Sequence, residues 1–310
     1  MASNGHDGPV QMSSPGSDPD EILEYWTEER RANARPVDPP RGDPARGGGA
    51  TDEIDRSVSA VEALTDASVG PEDAPGPAAP EAALVVGTVP VPNPAAYPHR
   101  TVGKLFYQAG GEDVVASAAV VNASGILTAA HCVWSWNTRQ WSTNVAFAPA
   151  FRCGPDPGYG IWPVGNMFVR NEWIGPPGDV AFDFAFCQIP PRGSTRIGDL
   201  TGSLGILVNR PDLQFWDDHG YPGSPIPGYP FDGDRMWNCG GSLTQSVGLT
   251  IRKVGNFTPG ASGGPWIVQS PEGKFYANGT FSMCFNSPPT ESSSPYFRDD
   301  VLGLFHTAFG

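Results

Sequence analysis

The sequence predicts an all-β protein built from many short strands, and three observations carry that reading. From about residue 101 the chain becomes a series of short runs rich in Val, Ile, Phe and Trp, broken by Gly, Pro and Asn. Charged residues make up only 17%, while Gly (39) and Pro (34) are abundant, a composition of turns rather than long helices. Helical spacing within this region appears only at its end. There Phe297, Val301, Leu304, Phe305 and Ala308 share a stripe behind Asp299 and Asp300, which predicts a short closing amphipathic helix. Strands this short and this closely spaced make a sandwich or a barrel.

Upstream of the strands the chain is of another kind. Residues 1–20 read as disordered. Residues 20–31 predict a short helix, with Asp18 or Asp20 as cap and acidic residues in its first turn. Its apolar edge of Ile22, Leu23, Tyr25 and Trp26 is suited to docking on another surface. Residues 36–50 are a Pro/Gly/Arg linker. Residues 52–66 predict a second helix, with Ile54, Val58, Val61 and Leu64 on one stripe. Residues 68–98 are a Pro/Ala-rich linker. Strands then follow near 102–107, 114–121, 125–128, 144–147, 161–170, 182–189, 204–207, 214–221, 235–243, 248–254, 265–269 and 276–283.

The net charge of −14 is concentrated upstream, since residues 1–100 hold 17 acidic and 7 basic residues. Nothing suggests a basic nucleic-acid footprint. Residues 1–17 lack a basic segment followed by an apolar one, so no secretory leader is visible. The longest apolar run, 82–86, is too short to span a membrane. The five cysteines are Cys132, Cys153, Cys187, Cys239 and Cys284. They form no Cys-x-x-Cys motif, their odd number leaves at least one thiol over, and one or two disulfides are expected if the chain is exported. No metal-ligand cluster, phosphate loop or cofactor motif is present.

Three local patterns carry chemistry. Ser262 stands in Phe257-Thr-Pro-Gly-Ala-Ser-Gly-Gly-Pro-Trp266 among small residues. A nucleophilic serine needs open approach and backbone N–H groups turned toward a developing oxyanion, and glycine permits the dihedrals this requires. The bland alternative is a Gly/Pro-rich turn. His131 lies in Gly125-Ile-Leu-Thr-Ala-Ala-His-Cys-Val133, where an apolar strand end runs into a small-residue turn. Its bland alternative is a buried structural histidine. Asp183 interrupts the apolar run Phe182-Asp-Phe-Ala-Phe-Cys-Gln-Ile189, and a buried carboxylate needs a partner such as an imidazole N–H. Asp179 is the rival acid. It follows Gly175-Pro-Pro-Gly178 and reads as a turn residue.

Taken together, Leu127-Thr-Ala-Ala-His-Cys132, Asp183-Phe-Ala-Phe and Gly260-Ala-Ser-Gly-Gly-Pro265 resemble, in order, the three signatures of trypsin-like serine peptidases. Trp141-Ser-Thr-Asn-Val-Ala-Phe-Ala-Pro149, Gly220-Tyr-Pro222, Phe231-Asp-Gly-Asp-Arg-Met-Trp237 and Ser262-Gly-Gly-Pro-Trp266 resemble the bacterial glutamyl-endopeptidase-type branch, its actinobacterial members especially. The resemblance covers roughly residues 101–310. Tyr25-Trp-Thr-Glu-Glu-Arg30 is similar to a segment in the pro-regions of such relatives.

The resemblance implies two packed antiparallel six-stranded β-barrels of the chymotrypsin-like kind, with a largely disordered N-terminal extension. Residues 1–98 would be a pro-segment or extension, 99–200 a first barrel and 201–310 a second with the closing helix. His131 would be the general base, Asp183 its orienting acid and Ser262 the nucleophile. The N–H groups of Gly260 and Ser262 would form the oxyanion hole. The family's usual disulfide partners of Cys132 and Cys239 are replaced, which leaves Cys132–Cys153 and Cys239–Cys284 as candidate bridges and Cys187 as a buried thiol. Ala261 stands where the pancreatic enzymes carry the acid that pairs with a freed N-terminus, so that activation device is absent. Asn256, at the base of the pocket, disfavours preference for Arg or Lys. Phe281 stands near the position of a glutamate-reading histidine, so glutamyl preference does not follow. Thr280 and Ser282 remain candidates to contact a substrate side chain, and Phe281 reads equally as core. The implied activity is a serine endopeptidase on protein or peptide substrates, without cofactor, monomeric, independent of nucleic acid and membrane. It implies an extracellular location, with a cytoplasmic one as the alternative. The alternative function is an inactive homologue that binds a protein partner.

Overall fold

Alternating apolar residues from Val102 onward form two curled antiparallel sheets. The computed structural model describes residues 9–12, 18–36, 62–63, 67–70, 87–175, 178–211 and 213–310. The first sheet holds β1 (Val102–Ala109), β2 (Glu112–Asn122), β3 (Gly125–Thr128), β4 (Thr143–Pro149), β5 (Met167–Arg170) and β6 (Ala185–Gln188). Their spatial order is β5-β6-β3-β2-β1-β4. The second sheet holds β7 (Gly205–Val208), β8 (Phe215–Gly220), β9 (Trp237–Val247), β10 (Thr250–Val254), β11 (Pro265–Gln269), β12 (Phe275–Thr280) and β13 (Glu291–Pro295). It runs β13-β10-β9-β8-β11-β12-β7, with β7 parallel to β12. The Thr280 N–H donates to Ser294 Oγ at 2.9 Å and the Ser282 N–H to Ser293 O at 2.9 Å, which closes the second barrel. The all-β, two-barrel reading agrees with this architecture.

Ser117 joins the barrels. It is a lone hydroxyl in the apolar run of β2 and is fully buried. Its N–H donates to Ser262 O (2.7 Å) and its Oγ to Gly260 O (2.9 Å), while the Tyr221 N–H donates to Ser117 Oγ (3.0 Å). Strand β2 of the first barrel thus carries the serine loop of the second. The C-terminal helix, Asp299–Phe309, returns to the first barrel. Phe305 and Phe309 meet Phe186 edge-on at 5.4 and 5.8 Å between ring centroids. A Cβ on Gly125 would lie 2.1 Å from the Phe309 ring, so the absent side chain admits that ring.

Several upstream expectations change. The helix expected over 20–31 is two helices, Pro19–Tyr25 and Glu28–Asn33. Asp18 caps the first, accepting from the Asp20 N–H at 3.0 Å, and Thr27 caps the second, accepting from the Arg30 N–H at 3.3 Å. The break lets Trp26 enter the barrel. Trp26 and Ile22 are each 1% exposed, and Trp26 Nε1 donates to Asn144 O at 2.5 Å. Each buried side chain contributes about 2 kcal/mol of docking.

The helix expected over 52–66 fails at Glu62–Ala63, which pairs antiparallel with Val208 and Leu207 of β7. Here ladder hydrogen bonding to an open strand edge overrides the local helical pattern. Residues 52–61 and 64–66 lie outside the described residues, as do 1–8 and 13–17 of the stretch read as disordered, where Pro9–Met12 pairs with β5. The linker read over 68–98 contains a strand, Gly87–Pro90. Expected strand 161–170 splits into Trp162–Pro163 and β5, and expected 276–283 splits into β12 and Met283–Phe285.

No cysteine is in a disulfide. Cys132 is buried and Cys153 is exposed, so one faces the core and the other the solvent. The Cys239 thiol donates to Asn256 Oδ1 at 3.9 Å. Cys187 is a fully buried thiol, as expected, and burial pushes its pKa up.

Ser117→Ala leaves the buried Tyr221 N–H without an acceptor. The expected cost is about 1–3 kcal/mol in denaturant unfolding. An unchanged midpoint would contradict the joining role.

Candidate active site

Three segments bring the candidate residues to the junction of the barrels. His131 lies on the 3-10 turn Ala130–Cys132 that follows β3. Ala129 and Ala130 are fully buried, and a Cβ on Gly263 would lie 2.8 Å from Ala129 N and 2.1 Å from Thr128 Oγ1. The two barrels therefore touch two to three residues from His131, and only small groups fit there. Asp183 ends a second 3-10 turn, Val180–Phe182, with β6 beginning two residues later. The expected strand over 182–189 is therefore shorter, and the acid sits at its entrance. Ser262 lies in the turn between Thr258 and β11, where Ala261 N donates to Thr258 O and Gly264 N to Ala261 O.

Asp183 is 1% exposed and accepts three hydrogen bonds. Its Oδ1 accepts from the His131 N–H at 2.9 Å, and its Oδ2 from His131 Nδ1 at 2.8 Å. Oδ2 also accepts from Ser282 Oγ at 2.5 Å. Three donors meet the requirement that a buried carboxylate be satisfied. The bond from Nδ1 fixes the imidazole with Nε2 pointing away from the acid. Burial alone would push the His131 pKa down. The Asp183 carboxylate, with Cys132 beside it, outweighs burial and holds the imidazole well above its ordinary value. Asp179 does not compete, because its Oδ1 accepts from the Ala181 N–H at 2.9 Å and caps the turn.

His131 Nε2 and Ser262 Oγ are both buried and without a hydrogen-bond partner. Unpaired buried polar atoms are costly, and these two lie at the junction of the barrels. Gly260 has φ +101°, and a Cβ there would lie 2.5 Å from Tyr221 O, so only glycine fits. Among the described residues, the N–H groups of Gly260 and Ser262 donate to no acceptor. Both donors stand unused beside the serine.

The residues read as a substrate pocket divide. Asn256 Oδ1 accepts from Thr88 Oγ1 at 2.5 Å, a partner from the segment read as linker. Thr280 is fully buried and its hydroxyl donates to Gly264 O at 3.4 Å. Phe281 is fully buried among Phe231, Trp237, Cys239, Phe257 and Ala261, which matches its core reading. The Ser282 hydroxyl donates to Asp183 Oδ2. Sequence reasoning missed that link and the roles of Ser117 and Thr88. The one available signal was an isolated hydroxyl within the apolar run of β2.

No protein-family model matches the chain, and no curated protein matches it. Among solved structures, the thermostable serine protease AL20 from an extremophilic microorganism is similar at 29% identity and TM-score 0.61, over 67% of this chain and 97% of that one. The protease Anisep from Arthrobacter nicotinovorans is similar at 27% identity and TM-score 0.61, over 67% and 95%. A Glu endopeptidase, at 19% identity and TM-score 0.59 over 73% and 98%, shares the fold. The chain is thus a structural relative of bacterial trypsin-like serine proteases, with a fold shared by a glutamyl endopeptidase.

Proposed function

We propose that the protein is a serine endopeptidase that cleaves peptide bonds through an acyl-enzyme. One observation carries the reading. An imidazole is held at Nδ1 by a buried acid, while its Nε2 and the Ser262 hydroxyl are left buried and unpaired. Ser262 Oγ attacks the carbonyl carbon as His131 Nε2 takes its proton. The carbonyl oxygen becomes an oxyanion facing the N–H groups of Gly260 and Ser262, each worth roughly 3–4 kcal/mol. The tetrahedral intermediate collapses, the C–N bond breaks, and His131 returns its proton to the leaving amine. Water repeats the sequence on the ester and frees Ser262. Asp183 holds the tautomer and stabilises the imidazolium without taking the proton.

In the same reading, residues 1–98 are a pro-segment or extension, 99–200 the first barrel and 201–310 the second. The protein acts outside the cell as a monomer on protein substrates. Asn256 at the pocket base carries no charge, which disfavours Arg and Lys side chains there.

A fluorophosphonate is expected to label the protein at Ser262, and Ser262→Ala to abolish labelling. A folded chain that stays unlabelled at high probe concentration, also in variants that open the approach to Ser262, contradicts the reading. Catalysis needs His131 neutral, and its pKa is raised, so kcat/KM should fall as pH drops through a value above the ordinary ~6.5 of histidine. Asp183→Asn should move that limb down and lower kcat by about 10⁴-fold. A wild-type limb at or below 6.5 (~6.5 being the free imidazole value) would contradict the electrostatics.

A further inference from the structure

The end of the N-terminal helix pair runs along β2 to the serine loop. Arg35–Pro36 forms a two-residue strand parallel to β2, with Arg35 opposite Val114 and Pro36 opposite Val115. Two residues farther along β2 is Ser117, whose N–H and hydroxyl hold the carbonyls of Ser262 and Gly260. Pro36 therefore lies against the serine loop. A Cβ built on Gly260 would be 3.4 Å from Pro36 Cβ, and one on Gly223 would be 2.9 Å from Pro36 Cγ. The ring stands beside the glycine that carries one of the two oxyanion donors.

The helix pair fixes the ring there. Asp113, immediately before Val114, accepts from Tyr25 Oη at 2.5 Å and from Arg30 Nη1 at 2.9 Å. Arg30 also stacks over Tyr25, 4.1 Å from its ring centroid. Trp26 and Ile22 plug the first barrel. Anchor and strap thus converge on one stretch of β2, with Asp113 holding the helices and Val114–Val115 holding the strap. The strap is not set up as a substrate, because no carbonyl among the described residues accepts from Gly260 N or Ser262 N.

We propose that residues 18–36 are a tethered inhibitor, a docked helix pair that lays Arg35–Pro36 along β2 and closes the approach to Gly260 and Ser262. This rests on the peptidase reading and adds how the activity is held back. An extended peptide entering the cleft competes for the same strand edge, against an occupant whose tether keeps it at high effective concentration. The observed rate is then the open-site rate multiplied by the fraction of molecules with the strap released.

The test uses full-length wild type, Arg30→Ala, Pro36→Gly and the double variant. Arg30 is half exposed, so its loss spares the core, and melting curves check that each protein is folded. Fluorophosphonate labelling of Ser262 should be faster in each single variant and about tenfold faster or more in the double variant. Labelling of every variant at the wild-type rate overturns the tethered inhibitor and leaves the peptidase reading standing. Absence of labelling in all four folded proteins overturns the peptidase reading and the inhibitor with it.

Discussion

A carboxylate buried where two barrels meet is the constraint on which this structure depends. Desolvating Asp183 would cost several kcal/mol if it lacked partners. The fold supplies three donors: the backbone and ring of His131 from the first barrel, and the hydroxyl of Ser282 from the second. Satisfying the acid therefore requires both barrels in register. Once they are, the Gly263 loop rests on Ala129 and Ser117 binds the carbonyls of Gly260 and Ser262. The same interaction that assembles the interface orients the imidazole, so structure and chemistry share one device.

Much of this was legible in the sequence because the site needs unusual local composition. A histidine behind two alanines, an acid inside an apolar run and a serine ringed by glycines each break the ordinary strand pattern. Each break has a packing cause, seen at Gly260, Gly263 and Ala129. The cross-barrel links were not legible. Ser282 sits among Thr280, Phe281 and Met283 and looks like pocket wall until the second barrel is folded against the first. Strand β13, with the sequence Glu-Ser-Ser-Ser-Pro, has no apolar alternation. Its serines are buried because small side chains are what fit, as where Ser294 packs against Gly279. Periodicity cannot report a strand selected for size.

The N-terminal region was legible only in part. The apolar edge of the first helix was legible as a docking face, but the stretches read as linker or as a second helix also make specific contacts. Ile22 and Trp26 enter the first barrel, Thr88 reaches Asn256, and Glu62–Ala63 extends the second sheet. A window average dilutes such residues, since one buried tryptophan outweighs many solvated neighbours. The cysteines misled for a related reason. The family resemblance suggested pairs, but burial decides, and Cys132 and Cys153 face different environments.

The central claim is that Asp183, His131 and Ser282 act as one unit across the two barrels. A double-mutant cycle on kcat/KM with Asp183→Asn and Ser282→Ala measures it most directly. If the Ser282 hydroxyl acts through the carboxylate, the double variant should be no slower than Asp183→Asn alone. Losses that multiply, as for independent residues, would contradict the account.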